Sequence, residues 1–175
     1  MFTNNARIVL TGIFLAMGLF FSYHQVYELM GVVLLFIVLL IWGYFKEGTV
    51  ILAAKSFHKK DYDRTALLLS QISNPSWLSK KRRGFYEFIM GGVYLQKQDY
   101  DEAEKHYELA AQYPLRTAND HVAALVHVAN ISIRRGNYDK AEAYLQLANK
   151  HQGEVKSKMK EVIAKLEQEL KQHKK

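Results

Sequence analysis

The chain has 175 residues, 49% of them hydrophobic, no cysteine, and a formal charge of +7. That length is roughly one domain's worth, and the lack of cysteine excludes a disulfide framework, thiolate chemistry and any Cys-ligated metal site. Arg7 and Glu28 are the only acidic or basic residues before Lys46 apart from His24, so the whole basic excess falls after Phe45 and the chain is two materials joined end to end.

The first material is apolar. Ile8–Ser22 and Leu29–Phe45 carry no charge and read as two membrane-crossing helices near the short end of the roughly 17 to 25 residues that a span needs. The connector Tyr23–Glu28 is too short for anything but a tight helical hairpin. Tyr23, Tyr27, Trp42 and Tyr44 fall at the expected boundaries, where amphipathic aromatics settle at headgroup level. Arg7 precedes the first run and Lys46, Lys55, Lys59 and Lys60 follow the second, which the positive-inside rule reads as both termini cytoplasmic. A cleaved signal peptide over Met1–Ser22 is disfavoured, because Phe20-Phe21-Ser22-Tyr23 offers no small-x-small cleavage site. An apolar soluble core is the remaining alternative. The expectation is an integral protein of a bacterial cytoplasmic membrane, with a transmembrane hairpin over residues 1–46 and residues 47–175 in the cytosol.

The second material repeats. Thr49–His58 and Tyr62–Ser73 form a first helical pair, ended by Asn74-Pro75, since proline biases the residue before it away from helical geometry. In the stretch Gly84–Pro114, Phe85, Phe88, Gly91, Gly92 and Leu95 lie at helical spacing, then a polar turn Gln96–Asp99, then Tyr100, Ala103, Tyr107 and Ala110. Asp99 has the carboxylate to cap the second helix. Thr117–Lys150 repeats the plan with Val128, Ala129, Tyr138, Ala141, Leu145 and Ala148. Asp61-Tyr62-Asp63, Asp99-Tyr100-Asp101 and Asn137-Tyr138-Asp139 recur 38 residues apart, as do the small residues Ala53, Gly91 and Ala129.

These residues resemble a tetratricopeptide repeat (TPR), with Met90, Gly91, Tyr94, Tyr100, Ala103, Tyr107 and Ala110 in its pattern. Glu87 stands where the family has Trp, and Pro114 arrives one residue early. Thr65 and Leu69 depart in repeat one, Leu125 and Ser132 in repeat three. The period exceeds the family's usual ~34 by about one helical turn, which Ser79 and Thr117 account for as N-caps one turn upstream. In repeat one that column is Ile41, so the second apolar run is expected to continue as helix into Thr49–His58. The fold class expected is all-α: a transmembrane hairpin, then a TPR-like α-solenoid of three helix pairs over about 47–73, 80–114 and 117–150.

After Gly153, residues 154–172 set Val155, Met159, Val162, Ile163, Leu166 and Leu170 in one stripe, which reads as the capping helix that a repeat array requires. Lys171–Lys175 are expected to fray. His121 and His127 lie six apart on one helix and point in different directions, unlike a helical zinc pair. Asp61/Asp63 and Asp99/Asp101 recur with the repeat and begin a helix each time, which is capping rather than catalysis. No cofactor, metal site or enzyme activity is expected, and no nucleic-acid reader motif is present. The run Lys80, Lys81, Arg82 and Arg83 opposes its own helix dipole and is a candidate for contact with anionic lipid.

The resemblance implies protein binding on the inner face of the first helices. The matching positions are Val50, Ala54 and Phe57 in repeat one, Phe85, Phe88, Gly92 and Leu95 in repeat two, and Ala123, Val126, Asn130 and Arg134 in repeat three. The family's acidic-tail clamp would need polar and basic residues where this chain has Val50, Ala54, Ile89, Ala123 and His127, so the partner implied is an apolar segment or amphipathic helix. The functional expectation is a membrane-tethered adaptor for a protein partner. The alternative is a structural or assembly subunit of a membrane complex, with no exchangeable ligand.

Overall fold

The computed structural model describes residues 4–173 and divides the chain into two compact units, Met1–Thr49 and Val50–Lys175. Helices α1 (Asn4–Tyr23) and α2 (Tyr27–His58) are joined by a turn in which Gln25 takes φ 56°. The helix expected over Thr49–His58 is the C-terminal part of α2. Within the first unit, Phe14 stacks on Phe36 at 5.6 Å and Val33 is buried against Gly18, where an added Cβ would stand 3.6 Å from its Cγ1. Many of the other described apolar side chains here are exposed, Leu19 at 75% and Tyr23 at 85% among them.

The membrane reading is corrected. Among the described residues no helix is long and apolar enough to cross a membrane. At 1.5 Å per residue the uncharged runs 8–22 and 29–45 reach only about 22 and about 25 Å, short of the roughly 30 Å of a bilayer's hydrocarbon. The expected transmembrane hairpin and membrane localisation are therefore withdrawn. The side chains of Arg7 and Lys46, on which the orientation leaned, and of Tyr44, read as a boundary aromatic, lie outside the described residues, as do Lys174 and Lys175.

The second unit continues with α3 (Tyr62–Ser70), α4 (Lys80–Gln96), α5 (Tyr100–Ala111), α6 (Ala118–Arg134), α7 (Tyr138–Lys150) and α8 (Ser157–His173). Each helix packs against the next, and α8 closes the array against α6 and α7. Among the described residues there is no strand, and the all-α solenoid expected from the repeat stands. Apolar burial runs through it in three clusters. Val50, Ala53, Leu69, Tyr86 and Ile89 join the end of α2 to α3 and α4, Tyr107, Ala103, Val128 and Ile131 join α4, α5 and α6, and Leu125, Ala129, Leu145, Ile163 and Leu166 join α6, α7 and α8.

One turn chemistry recurs 38 residues apart. Lys60, Gln98 and Gly136 take φ 62°, 62° and 75°. The next residue's N–H reaches back to the carbonyl of Ser56, Tyr94 or Ser132 at 3.1, 3.0 and 2.8 Å. This is the left-handed helix stop in which two backbone N–H groups satisfy the last orphan carbonyls. That same next residue then starts a helix: Asp61, Asp99 and Asn137 accept from the N–H of Arg64, Glu102 and Lys140 at 3.2, 3.2 and 3.4 Å.

Three boundaries differ from expectation. Helix α3 stops at Ser70 rather than Ser73, because the Ser70 hydroxyl bonds the Leu67 carbonyl at 2.9 Å and Asn74 starts a 3-10 turn over Pro75–Trp77 by accepting from the Ser76 N–H. Ser79 precedes α4 but makes no side-chain cap, whereas Thr117 caps α6 through the Asp120 N–H at 3.1 Å. Helix α8 begins at Ser157 rather than Glu154, after a 3-10 turn and an extended Val155, and its Val162 faces outward at 38% exposure.

A Cβ at position 136 would force an L-residue into the left-handed region that glycine occupies freely. Gly136→Ala should cost about 1 kcal/mol in urea unfolding, while Gln98→Gly, which relieves the same strain, should leave stability unchanged or slightly raised.

Candidate functional site

The first helices of the array bring most of the predicted groove together, but part of it is already core. Val50 (0% exposed) and Ala54 (8%) are sealed against α3 and α4, and Val126 (6%) lies in the last cluster. Gly92 is buried under Phe57: an added Cβ would meet its Cζ at 2.5 Å. A neighbouring glycine, Gly91, sits 3.0 Å from the Tyr107 ring by the same measure, so both exist to admit an aromatic ring against the helix backbone. Phe57, Phe85, Phe88, Leu95, Ala123 and Asn130 are half-buried, and Arg134 is exposed.

Two cavities are lined by the predicted groove residues. The larger, about 410 Å³, is lined by Ala54, Phe57, His58, Phe85, Phe88 and Ile89, and across from them by residues 116–120, Glu154 and Lys156. Sequence periodicity missed that second wall, because it pairs the first turn of α6 and the two residues before it with the approach to α8, which lies outside the repeats. Its closure is local: the Lys156 N–H donates to Asn119 Oδ1 at 3.4 Å. The smaller cavity, about 270 Å³, is lined by Leu95, Gln96, Gln98, Tyr100, His127, Asn130, Ile131 and Arg134. They adjoin through Phe88, whose ring meets the His127 ring at 6.3 Å.

Several charged side chains elsewhere are committed to the fold. Glu87, 1% exposed in the family's Trp position, is bound by His106 Nδ1 at 2.5 Å and approached by Arg83 Nε at 2.6 Å, an ion pair out of hydrogen-bond alignment. Arg83 also lies over the Tyr86 ring at 5.8 Å. It is thus drawn away from the lipid contact expected of the basic run, while Lys80 and Lys81 are exposed. Glu104 accepts from Ser132 at 2.8 Å and pairs with Arg135 at 2.9 Å and Lys140 at 2.8 Å. Burial works to raise its pKa, but the bonds from Lys140 and Ser132 and the charges of Lys140 and Arg135 prevail and hold it below the usual value. His121 meets the His151 ring edge-on at 5.4 Å and His127 stacks on Tyr107 at 4.5 Å, so the two histidines do point apart. Among the described residues no group of three His, Asp or Glu is placed to hold a metal.

Burial pushes His127 down from its ordinary value to about 4. Its neutral form stacks on Tyr107, and protonation would put a charge in that layer. The folded pKa lies below the unfolded one, so the associated stability is present above about pH 6.5 and is lost as pH falls towards about 4. The loss should reach up to about 3 kcal/mol. In His127→Phe the change in unfolding free energy between about pH 7 and about pH 4.5, followed by urea titration, should be smaller by that component.

No curated protein matches the chain, and no solved structure does. A protein family described as the SusR N-terminal TPR domain matches residues 38–167. The match covers more than half of the chain and begins inside the second apolar run. It agrees with the repeating left-handed stops, the capped second helices and the glycine-to-tyrosine contact between α4 and α5, and the chain belongs to the SusR N-terminal TPR domain family.

Proposed function

We propose that this chain recruits a protein partner through the cavity lined by Phe57, Phe85 and Phe88. A TPR domain is in general a protein-interaction scaffold and not a catalyst. The observation that carries the finer reading is the larger cavity itself. Three aromatic side chains from two successive first helices are half-buried and line one open space of about 410 Å³. Their remaining apolar surface is surrounded by His58, Arg116, Asp120, Glu154 and Lys156. An apolar floor within a polar rim is the arrangement in which a few anchors dominate binding. The ligand that fits is a partner segment presenting an aliphatic or aromatic side chain.

The second reading, a structural subunit without an exchangeable ligand, draws support from Val50, Ala54, Gly92 and Val126, which are buried and unavailable to any ligand. One experiment separates the two. A photo-crosslinking residue at Arg116, on the exposed rim, should capture a defined partner in cells that make the protein. Phe85→Ala should reduce capture at least tenfold while costing only about 1 to 2 kcal/mol of stability, since the side chain is half-buried. If Phe85→Ala unfolds the chain and no crosslinked partner appears, the structural reading holds.

A further inference from the structure

The smaller cavity differs in kind from its apolar neighbour. Gln96, Gln98 and Asn130 offer amide N–H groups, Tyr100 a phenolic O–H, and Arg134 a guanidinium with five donors. No carboxylate lines it among the described residues. Arg134 and its neighbour Arg135 make the contrast plain. Arg135 is held by Asp101 at 2.6 Å and Glu104 at 2.9 Å, whereas among the described residues no acidic group pairs with Arg134, which stays exposed at the mouth of the cavity. The nearby Asp99 is occupied in capping α5. A site carrying one unpaired cation and no anion, with amides and a hydroxyl able to turn donors inward, is complementary to a carboxylate, and a guanidinium binds one through two parallel hydrogen bonds.

The spacing to the apolar cavity sets a second condition. Phe88 and Leu95 lie on α4 in the walls of the two cavities, seven residues and about 10 Å apart along the helix. An extended peptide covers that distance in about three residues. We propose that the smaller cavity takes a side-chain carboxylate, Asp or Glu, from the same partner segment whose apolar residue fills the Phe57, Phe85 and Phe88 cavity, the two about three residues apart. The inference rests on the groove reading above and adds its specificity: an apolar residue alone fills half the site, and the acidic residue fixes register.

A random peptide library displayed against the full-length chain tests it. Selected peptides should share an apolar residue and an Asp or Glu about three positions away. The tightest one is then synthesised with an amidated C-terminus, alongside a twin carrying Gln or Asn for the acidic residue, and both are measured by fluorescence anisotropy. On the unaltered chain the twin should bind about tenfold more weakly. On Arg134→Gln, whose exposed side chain leaves the melting temperature unchanged, the two peptides should bind alike. Apolar peptides with no acidic preference, or a preference that persists undiminished in Arg134→Gln, would overturn the carboxylate site and leave the apolar groove standing. No enriched peptide, or peptides whose binding survives Phe85→Ala, would overturn the groove and the carboxylate site together.

Discussion

Tyr107 is the contact on which the array depends. It is 2% exposed, lies against the backbone of Gly91, reaches Gly92 with its hydroxyl, meets Phe88 edge-on at 5.6 Å and stacks on His127 at 4.5 Å. One side chain on α5 therefore fixes α4 and α6 at once. Full burial of such a ring stabilises by about 2 to 3 kcal/mol, and each well-placed aromatic pair adds about 1 kcal/mol. The glycines make this possible, since any Cβ at position 91 would crowd the ring and push α4 from α5. Helix α4 thus offers Tyr107 bare backbone at Gly91 and the edge of Phe88 one turn earlier, and Phe85 and Phe88 also line the open cavity.

Polar groups do in this chain what aromatic residues do elsewhere in the repeat pattern. Glu87 occupies a position where a large ring is expected, and it is tolerable there only because His106 and Arg83 meet it. Ser132 takes the place of a tyrosine, and the space released admits Glu104, which the serine hydroxyl, Arg135 and Lys140 satisfy together. These two buried carboxylates lie at successive helix junctions, α4 with α5 and α5 with α6 and α7. A buried ion pair seldom adds net stability over apolar packing, but leaving one partner alone is costly. Each junction therefore depends on its own partners, His106 and Arg83 for Glu87 and Ser132, Arg135 and Lys140 for Glu104.

The repeat was legible because its signals are local: the Asp/Asn-Tyr-Asp triplets, the small-residue column of Ala53, Gly91 and Ala129, and the caps are set by residues a few positions apart. Asp61, Asp99 and Asn137 did cap helices, and Gly91 did face a tyrosine. What escaped was whatever depends on non-repeating partners. The second wall of the larger cavity joins the first turn of α6 to the segment before α8, which lies outside the repeats, so Asn119 and Lys156 gave no sign of meeting. Four groove positions read from the pattern proved to be interior, because exposure there is decided by neighbours such as Leu69 and Phe57 rather than by spacing. The apolar runs misled for a different reason: lack of charge marked them as membrane-like, whereas among the described residues no helix combines the length and the apolarity that crossing needs.

The junction carboxylates also restrict how such an array can grow. Residues one period apart occupy equivalent places, so a tandem copy of the second repeat would present Tyr94, Lys97 and Glu102 to Glu104 in place of Ser132, Arg135 and Lys140. The ring would fill the space that Glu104 now uses, and one of the three partners would be an acid facing an acid. Duplication, the ordinary route by which solenoids lengthen, is closed at this seam. The order of these two repeats is written into the interior at Glu104, which the third repeat satisfies and a second copy of its own repeat would not.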